Sequence, residues 1–166
     1  MTLPERKNVR LKEYDYSNPG AYFITLCTDG RKKILSDIIV GQGLAPAETN
    51  LTLYGKIAEK QLFCLEERFD YVKIDKYVIM PDHIHAIIVL KELTAEASLR
   101  PTIPDILCVY KSLTTRDCKK AGFKEKRLFQ SSFFDHVIRN RQDYEEIWNY
   151  IDTNPCRWVE KYAISK

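Results

Sequence analysis

The stretch "VIMPDHIHAIIVL" (Val78–Leu90) decides the fold, because a turn at Pro81-Asp82 separates the end of one strand from the whole of the next. Two of the chain's three histidines, His83 and His85, lie in this apolar run. Residues i and i+2 of a strand point to the same face, so the two imidazoles project side by side while Ile84 points the other way, into the core. Two imidazoles one strand step apart are a natural pair of metal ligands. A pair of structural core histidines is the alternative.

The elements on either side of this stretch follow from apolar periodicity. Strands are predicted at 21–28, 71–80, 83–90 and 131–138, a hairpin between 38–40 and 51–53, helices at 54–69, 105–121 and 141–154, and a short terminal helix in "CRWVEKYAI". The main order is β-α-β-β-α-β, with a helix added at the C-terminal end. This order predicts an α+β fold, namely a ferredoxin-like antiparallel sheet with helices on one face. A chain of 166 residues is expected to form a single domain over 1–166.

Composition narrows the class of protein. With 45% hydrophobic and 30% charged residues, the chain has the balance of an ordinary globular domain. No apolar run approaches the roughly 18 residues that a membrane span needs, and the polar N-terminus lacks the apolar core of a signal peptide. The five cysteines are an odd number without a C-x-x-C pair, which predicts neither a disulfide framework nor a cysteine zinc site. A zinc site would need further ligands beside the histidine pair. His136 and Cys156 are candidates, but nothing else in the sequence supports them. These observations predict that the protein is located in the cytoplasm and has no membrane partner.

Positive charge is concentrated between residues 111 and 127, although the net charge is only +3. Clustered positive charge suits a phosphate backbone, and a solvated helix face is the alternative. Only Asp117 and Glu125 are acidic in this run. Its basic residues are Lys111, Arg116, Lys119, Lys120, Lys124, Lys126 and Arg127, and the N-terminal stretch adds Arg6, Lys7, Arg10 and Lys12.

The last long helix presents polar groups away from its apolar stripe. Tyr150 lies roughly 120° from the centre of that stripe, given about 100° per residue, and Asn154 follows one turn later on the same side. An ordinary surface tyrosine is the alternative for Tyr150. Asn154 precedes Pro155 and could instead cap the helix that follows. The stripe consists of Tyr144, Ile147, Trp148 and Ile151.

Several segments together resemble one family. The motifs "MPDHIHAII", "FFDHVIR" and "YIDTNP" are similar to those of the single-tyrosine, His-hydrophobic-His (HUH) transposases, and specifically of the REP-associated branch. "YDYSNPGAYFITLCTDGR" and "VYKSLTTR" resemble the same family. The resemblance runs from about Arg10 to Trp158, with the motifs in the expected order.

The resemblance implies a role for four residues. His83 and His85 would bind a divalent metal, Mg²⁺ or Mn²⁺, and Asn154 would be the third ligand where related transposases carry Gln. Two imidazoles and an amide oxygen suit Mn²⁺ somewhat better than Mg²⁺. Tyr150 would be the nucleophile that attacks single-stranded DNA and leaves a 5′-phosphotyrosine. The candidate bases that could activate the tyrosine are Lys111, His136 and Asp135. His136 and Asp135 could also surround the site and orient its ligands. Ordinary structural roles are favoured for all three residues.

The same resemblance gives the basic run a DNA-binding role. We expect the partner to be single-stranded or hairpin DNA and the protein to associate with the nucleoid. The sequence does not decide whether the protein forms a homodimer. Phe123, Phe129 and Phe133 lie in or near the run and could stack on bases, although Phe133 fits the core better. The residues expected to bind DNA are Lys111, Arg116, Lys119, Lys120, Lys124 and Arg127.

Three other functions compete with an active transposase. A catalytically silent descendant would bind hairpin DNA as a regulator. A phosphoesterase would use the two histidines as acid and base, but the sequence offers no second H-x-[ST] element. A replication initiator or relaxase would share the histidine pair, but such chains add further domains for which 166 residues leave no room.

Overall fold

The computed structural model describes residues 13–41, 46–93 and 100–163. The strands are β1 (Gly20–Cys27), β2 (Ser36–Ile39), β3 (Glu48–Leu51), β4 (Val72–Ile79), β5 (His83–Leu90) and β6 (Phe134–Ile138), and the helices are α1 (Leu53–Arg68), α2 (Ile103–Lys120), α3 (Arg141–Asp152) and α4 (Asn154–Ala163). Four strands form an antiparallel sheet in the order β4-β5-β1-β6, and β2 pairs with β3 in a separate hairpin.

The predicted α+β fold is confirmed, with every expected strand and helix in the expected order. Two strands differ by three residues at their start: β3 begins at Glu48 rather than Leu51, and β6 begins at Phe134 rather than Ser131. The backbone before it is held by other partners: the Gln130 amide donates to the Cys27 carbonyl at 2.9 Å, and Lys111 Nζ donates to the carbonyls of Gln130 and Ser131. Within the described ranges, no helix is long and apolar enough to cross a membrane.

The central strand β5 is buried on both faces. Ile84, Ile88 and their neighbours at even positions pack with α1 and α2 in the larger core. Ile87 lies on the face of the histidines and packs with Phe23 and with Ile151 of α3 in a second, smaller core. Helices α1 and α2 therefore cover one face of the sheet, and the added helix α3 covers the other.

The predicted helix over 141–154 ends two residues early. Helix α3 stops at Asp152, Thr153 forms its C-terminal cap, and α4 begins at Asn154. Backbone hydrogen bonds of the helical i to i−4 type continue across the junction, from Thr153 N to Asn149 O at 2.9 Å and from Arg157 N to Thr153 O at 3.1 Å. The proline at position 155 has no N–H to donate, which explains the break. Asn154 thus remains close to one helical turn beyond Tyr150, although it belongs to the next helix.

A bulge in β4 anchors α3 to the sheet. The pairing of β4 with β5 shifts register between Ile74 and Lys76, so Asp75 has no partner in the ladder. The Asp75 carboxylate instead accepts a hydrogen bond from the Tyr144 hydroxyl of α3. Lys76 Nζ adds an ion pair with Asp152 at 2.6 Å. These contacts fix the helix that carries Tyr150.

Helix α1 begins where it approaches another backbone segment closely. The Thr52 side chain caps the helix by accepting from Gly55 N at 3.2 Å, and Thr52 N donates to Leu35 O at 3.0 Å. A Cβ at Gly55 would lie 1.9 Å from the Leu35 carbonyl oxygen. Glycine is therefore required at this position by the lack of space.

We expect Gly55→Ala to lower the free energy of unfolding by about 1–3 kcal/mol or more, because the backbone at Leu35 must move to admit the methyl group. Helix propensity alone would give the opposite sign, a gain of about 1 kcal/mol. Urea denaturation followed by circular dichroism measures the change. The neighbouring exposed Lys56→Ala variant is the control, and a Gly55→Ala protein more stable than wild type would contradict the close approach.

Candidate active site

A cleft of about 810 Å³ opens on the α3 face of the sheet, where β1 ends and β5 begins. Its walls include the four residues for which the sequence suggested a catalytic or metal-binding role, His83, His85, Tyr150 and Asn154. The two histidines come from β5, the tyrosine from α3 and the asparagine from α4. Three separate elements thus bring these side chains together.

The histidine rings are held in place through their Nδ1 atoms. The ring centroids lie 4.6 Å apart. His83 Nδ1 is 2.5 Å from the Asp82 carboxylate, and His85 Nδ1 is 2.8 Å from the hydroxyl of Thr25, its partner across the β1–β5 ladder. With an Nδ1–H donated to each oxygen, Nε2 of both rings is left with its lone pair to bind a metal.

Burial keeps both imidazoles neutral. Burial lowers the pKa of His85 to about 3, with smaller contributions in the same direction from the neighbouring His83 and from Arg31. Burial also lowers the pKa of His83, against the opposing effects of Asp82 and of a hydrogen bond with Asn154. Neutral imidazole is the form that binds metal ions.

Asn154 completes a donor set that fits a divalent ion. The side chain is 7% exposed and forms a hydrogen bond with His83, so the shorter amide reaches the histidine pair. No group of three or more His, Cys, Asp or Glu side chains is placed to hold a metal in the part of the chain that the structure describes. The candidate set is instead two imidazoles and one carboxamide oxygen. Cys27 also lines the cleft, but burial raises the pKa of its thiol, which disfavours the thiolate that a metal would need.

Tyr150 stands beside the histidine pair and is accessible from solvent. It is 36% exposed, and its ring centroid lies 5.2 Å from that of His85 and 6.0 Å from that of Phe23. The Arg157 guanidinium lies over the tyrosine ring, 5.2 Å from its centroid. The tyrosine ring therefore lies under a cation, and the side chain has an open approach for a substrate.

The structure adds residues to the cleft that sequence reasoning missed. They are aromatic and basic side chains from three segments, namely Arg31 after β1, Phe134 on β6, and Arg157, Trp158, Lys161 and Tyr162 on α4. The spacing of four residues in "RWVEKY" was the available signal, since it puts two cations and two rings on neighbouring ridges of one helix. Arg31 and Phe134 gave no signal, because only the folded sheet brings them to the cleft.

The basic run lines a second groove, separate from the cleft. A groove of about 450 Å³ along α2 is lined by Arg116, Lys119 and Arg127, which were expected to bind DNA, and by Lys126. Lys111 also lines it, but its ammonium group donates to two backbone carbonyls. Lys120 and Lys124 are exposed outside the groove, with Lys120 3.6 Å from Asp117. Arg6, Lys7, Arg10 and Lys12 lie outside the described residues.

The two side chains of β6 that could act as bases, or orient the ligands of the site, lie away from the cleft. Asp135 is buried and pairs across the ladder with Ile24, which faces the α1–α2 core, so the sheet separates its side chain from Tyr150. His136 is exposed and lies 2.9 Å from Asp143. Both lie on β6, and the sequence alone does not specify which face of the sheet each side chain occupies. The phenylalanines suggested for base stacking are also unsuited to it: Phe123 and Phe129 are buried, and Phe133 packs against the core.

Known proteins resemble this chain over most of its length. No protein-family model matches it. It is 30% identical over 173 residues to an uncharacterized protein of Haemophilus influenzae, covering 95% of this chain and 92% of that one. It is 29% identical over 93 residues to the REP-associated tyrosine transposase of Escherichia coli, covering 55% of this chain and 50% of that protein. Among solved structures, a REP-associated tyrosine transposase bound to a REP hairpin shares the fold, with a TM-score of 0.62, 21% identity, and coverage of 89% of this chain and 73% of that one.

We expect the His85 ring to remain neutral between pH 5 and pH 8 in the metal-free protein, because burial lowers its pKa to about 3. Long-range ¹H–¹⁵N NMR of the imidazole nitrogens during a pH titration tests this. The same ring in urea-unfolded protein is the control and should titrate near the ordinary value of about 6.5. A midpoint near 6.5 in the folded protein would show that the ring is solvated and the described packing incorrect.

Proposed function

We propose that this chain, which belongs to the REP-associated tyrosine transposases, cleaves and rejoins single-stranded DNA through a covalent bond to Tyr150. The observation that carries the proposal is the position of Tyr150 beside His83, His85 and Asn154 in one cleft. Two neutral imidazoles and an amide oxygen beside an exposed phenol are the parts that metal-assisted attack on a phosphodiester needs.

The metal proposed for this cleft is Mg²⁺ or Mn²⁺, held by Nε2 of the two histidines and by the Asn154 side-chain oxygen. When bound, it would polarise a non-bridging phosphate oxygen and orient the phosphate. Asp82 and Thr25 support this role by holding each ring through Nδ1. Such outer partners fix the tautomer and direction of a metal-binding histidine.

The covalent step uses the Tyr150 hydroxyl as the nucleophile. A bond forms between Oη and phosphorus while the bond from phosphorus to the 3′ oxygen breaks. The phenolic proton is released to water, and the departing 3′ oxygen takes up a proton to become a hydroxyl. The 5′ phosphate remains on the tyrosine, so the reverse reaction with a 3′ hydroxyl rejoins a strand without an external energy source.

Arg157 is proposed to assist this step. A phenol has an ordinary pKa of about 10, so attack at neutral pH requires stabilisation of the developing negative charge. The Arg157 guanidinium is held over the Tyr150 ring, with its Nε donating to the Thr153 hydroxyl at 3.2 Å. A fixed cation beside the tyrosine would stabilise the negative charge that develops on the attacked phosphate.

Hairpin DNA is the proposed substrate class. A structurally similar chain is a REP-associated tyrosine transposase bound to a REP hairpin. The groove that Arg116, Lys119 and Arg127 line along α2 has the charge to hold a duplex backbone. The chain segment that leaves this groove at Ser131 reaches the cleft at Phe134. A paired stem in the groove could therefore continue as a single strand into the cleft.

We expect Tyr150→Phe to abolish the covalent protein–DNA adduct while hairpin binding remains within about twofold, because only the hydroxyl is lost. A denaturing gel with a labelled single-stranded oligonucleotide and Mn²⁺ detects the adduct, and fluorescence anisotropy measures binding. Tyr54→Phe is the control, since it removes a phenol hydroxyl on α1 outside the cleft, and it should retain the adduct.

Two outcomes of that experiment would contradict the proposal. An adduct in the Tyr150→Phe protein would assign the nucleophile to another residue. Hairpin binding without any adduct in the wild-type protein, with Mn²⁺ or Mg²⁺ present, would favour the alternative of a catalytically silent regulator.

We expect Asp82→Asn to weaken Mn²⁺ binding by roughly 10- to 100-fold, because the His83 ring loses the carboxylate that orients it. Isothermal calorimetry or Mn²⁺ electron paramagnetic resonance measures the affinity without DNA. Asp143→Asn, which alters the exposed pair with His136, is the matched control and should bind Mn²⁺ like the wild type. Equal Mn²⁺ affinities of the two variants would show that the histidine pair does not bind the metal.

A further inference from the structure

We propose that Trp158 and Tyr162 of α4 form a stacking platform for an unpaired nucleobase next to the phosphate that Tyr150 attacks. The proposal rests on the proposed function and adds a subsite to it. The two rings lie one helical turn apart on α4, with centroids 4.6 Å apart. Trp158 also lies 5.9 Å from the His83 ring, so the platform begins at the histidine pair and extends outward along the helix.

The outer ring keeps part of its surface exposed to solvent. Tyr162 is 37% exposed, and both rings line the cleft that holds Tyr150. Large aromatic side chains usually bury most of their surface in the interior of a folded protein. Here the inner ring, Trp158, packs between the histidine and the tyrosine, and the outer ring presents its surface to the cleft.

The charge around the platform is positive, which fits a nucleotide rather than an apolar ligand. Lys33 Nζ lies 4.3 Å from the centroid of Tyr162 and 5.5 Å from that of Trp158. Arg31, Arg157 and Lys161 line the same cleft. Asp82 is the acidic side chain among the lining residues, and it lies 2.5 Å from His83 and 3.6 Å from Arg31. Cations that interleave with aromatic rings are the arrangement by which proteins bind single strands, with phosphates on the cations and bases on the rings.

The platform predicts a preference for single strands over duplex DNA. A base paired within a duplex is already stacked on both faces and cannot lie on a protein ring, whereas an unpaired base can. Phe134, 43% exposed, also lines the cleft. The platform would therefore hold one unpaired base of a strand whose neighbouring phosphate lies at Tyr150.

The chain offers an internal reporter for this contact, because it has only two tryptophans. Trp148 lies on α3 beside Tyr144 and under Lys76, at a pocket separate from the cleft. The Trp148→Phe protein therefore reports fluorescence from Trp158 alone, and Trp158→Phe reports from Trp148 alone. Titration with oligothymidylate in the presence of EDTA, on a Tyr150→Phe background, excludes covalent capture. We expect quenching in the first protein and none in the second.

Three further measurements separate stacking from charge. An abasic oligomer of the same length should bind without quenching Trp158. Tyr162→Ala should weaken oligothymidylate binding by at least about fivefold. Phe63→Ala, which removes a comparably exposed ring on α1, should leave the affinity unchanged. Equal quenching by the abasic oligomer, or an unchanged affinity in Tyr162→Ala, would overturn the platform.

The outcomes also distinguish this inference from the proposed function. Covalent adduct formation by wild-type protein without quenching of Trp158 would leave the transposase chemistry standing and remove the platform. Quenching of Trp158 by oligothymidylate, without any covalent adduct under catalytic conditions, would support the stacking platform and contradict the proposed DNA cleavage.

Discussion

The central strand β5 constrains the whole structure, because it is buried on both faces and sends different side chains to each. Its even positions, such as Ile84 and Ile88, fill the core under α1 and α2, and its odd positions carry His83, His85 and Ile87 to the α3 face. A shift of register by one residue would exchange the two sets, putting two imidazoles into the larger core and removing the donors from the cleft. Pairing with β4 on one side and β1 on the other prevents that shift.

The site depends on the same pairing for more than position. The β1–β5 register sets Thr25 opposite His85 and therefore fixes which nitrogen of that ring faces the cleft. The turn before β5 does the same for His83 through Asp82, whose backbone carbonyl also accepts from the Thr28 amide at 2.9 Å. Because the rings are held in this way before any ligand binds, little conformational freedom remains to be lost when one does.

The order of the elements and the shared face of the two histidines could be predicted from the sequence, because these features depend on local periodicity. The roles expected for Tyr150 and Asn154 came from the resemblance to a family. The alternation in β5 predicted the shared face of His83 and His85, and the helical stripe of α3 predicted that Tyr150 points elsewhere. The contacts of Thr25 and Phe134 could not be predicted, since they depend on pairing between strands that are far apart in the chain. The end of α3 was missed by two residues, because Pro155 disfavours the helical conformation of the residues just before it. The face of Asp135 depends on the pairing of β6 with β1, which lies far away in the chain.

The account is tested most directly by locating the nucleotide on the protein. After incubation with a single-stranded oligonucleotide and Mn²⁺, nuclease and trypsin digestion would leave a phosphonucleotide on one peptide, and fragmentation in the mass spectrometer would assign its residue. The tryptic peptide from Gln142 to Arg157 contains both Tyr144 and Tyr150, so fragments between them discriminate. The structure predicts modification at Tyr150 that is lost when EDTA replaces Mn²⁺. Modification at another tyrosine, or none in the presence of metal and DNA, would contradict it.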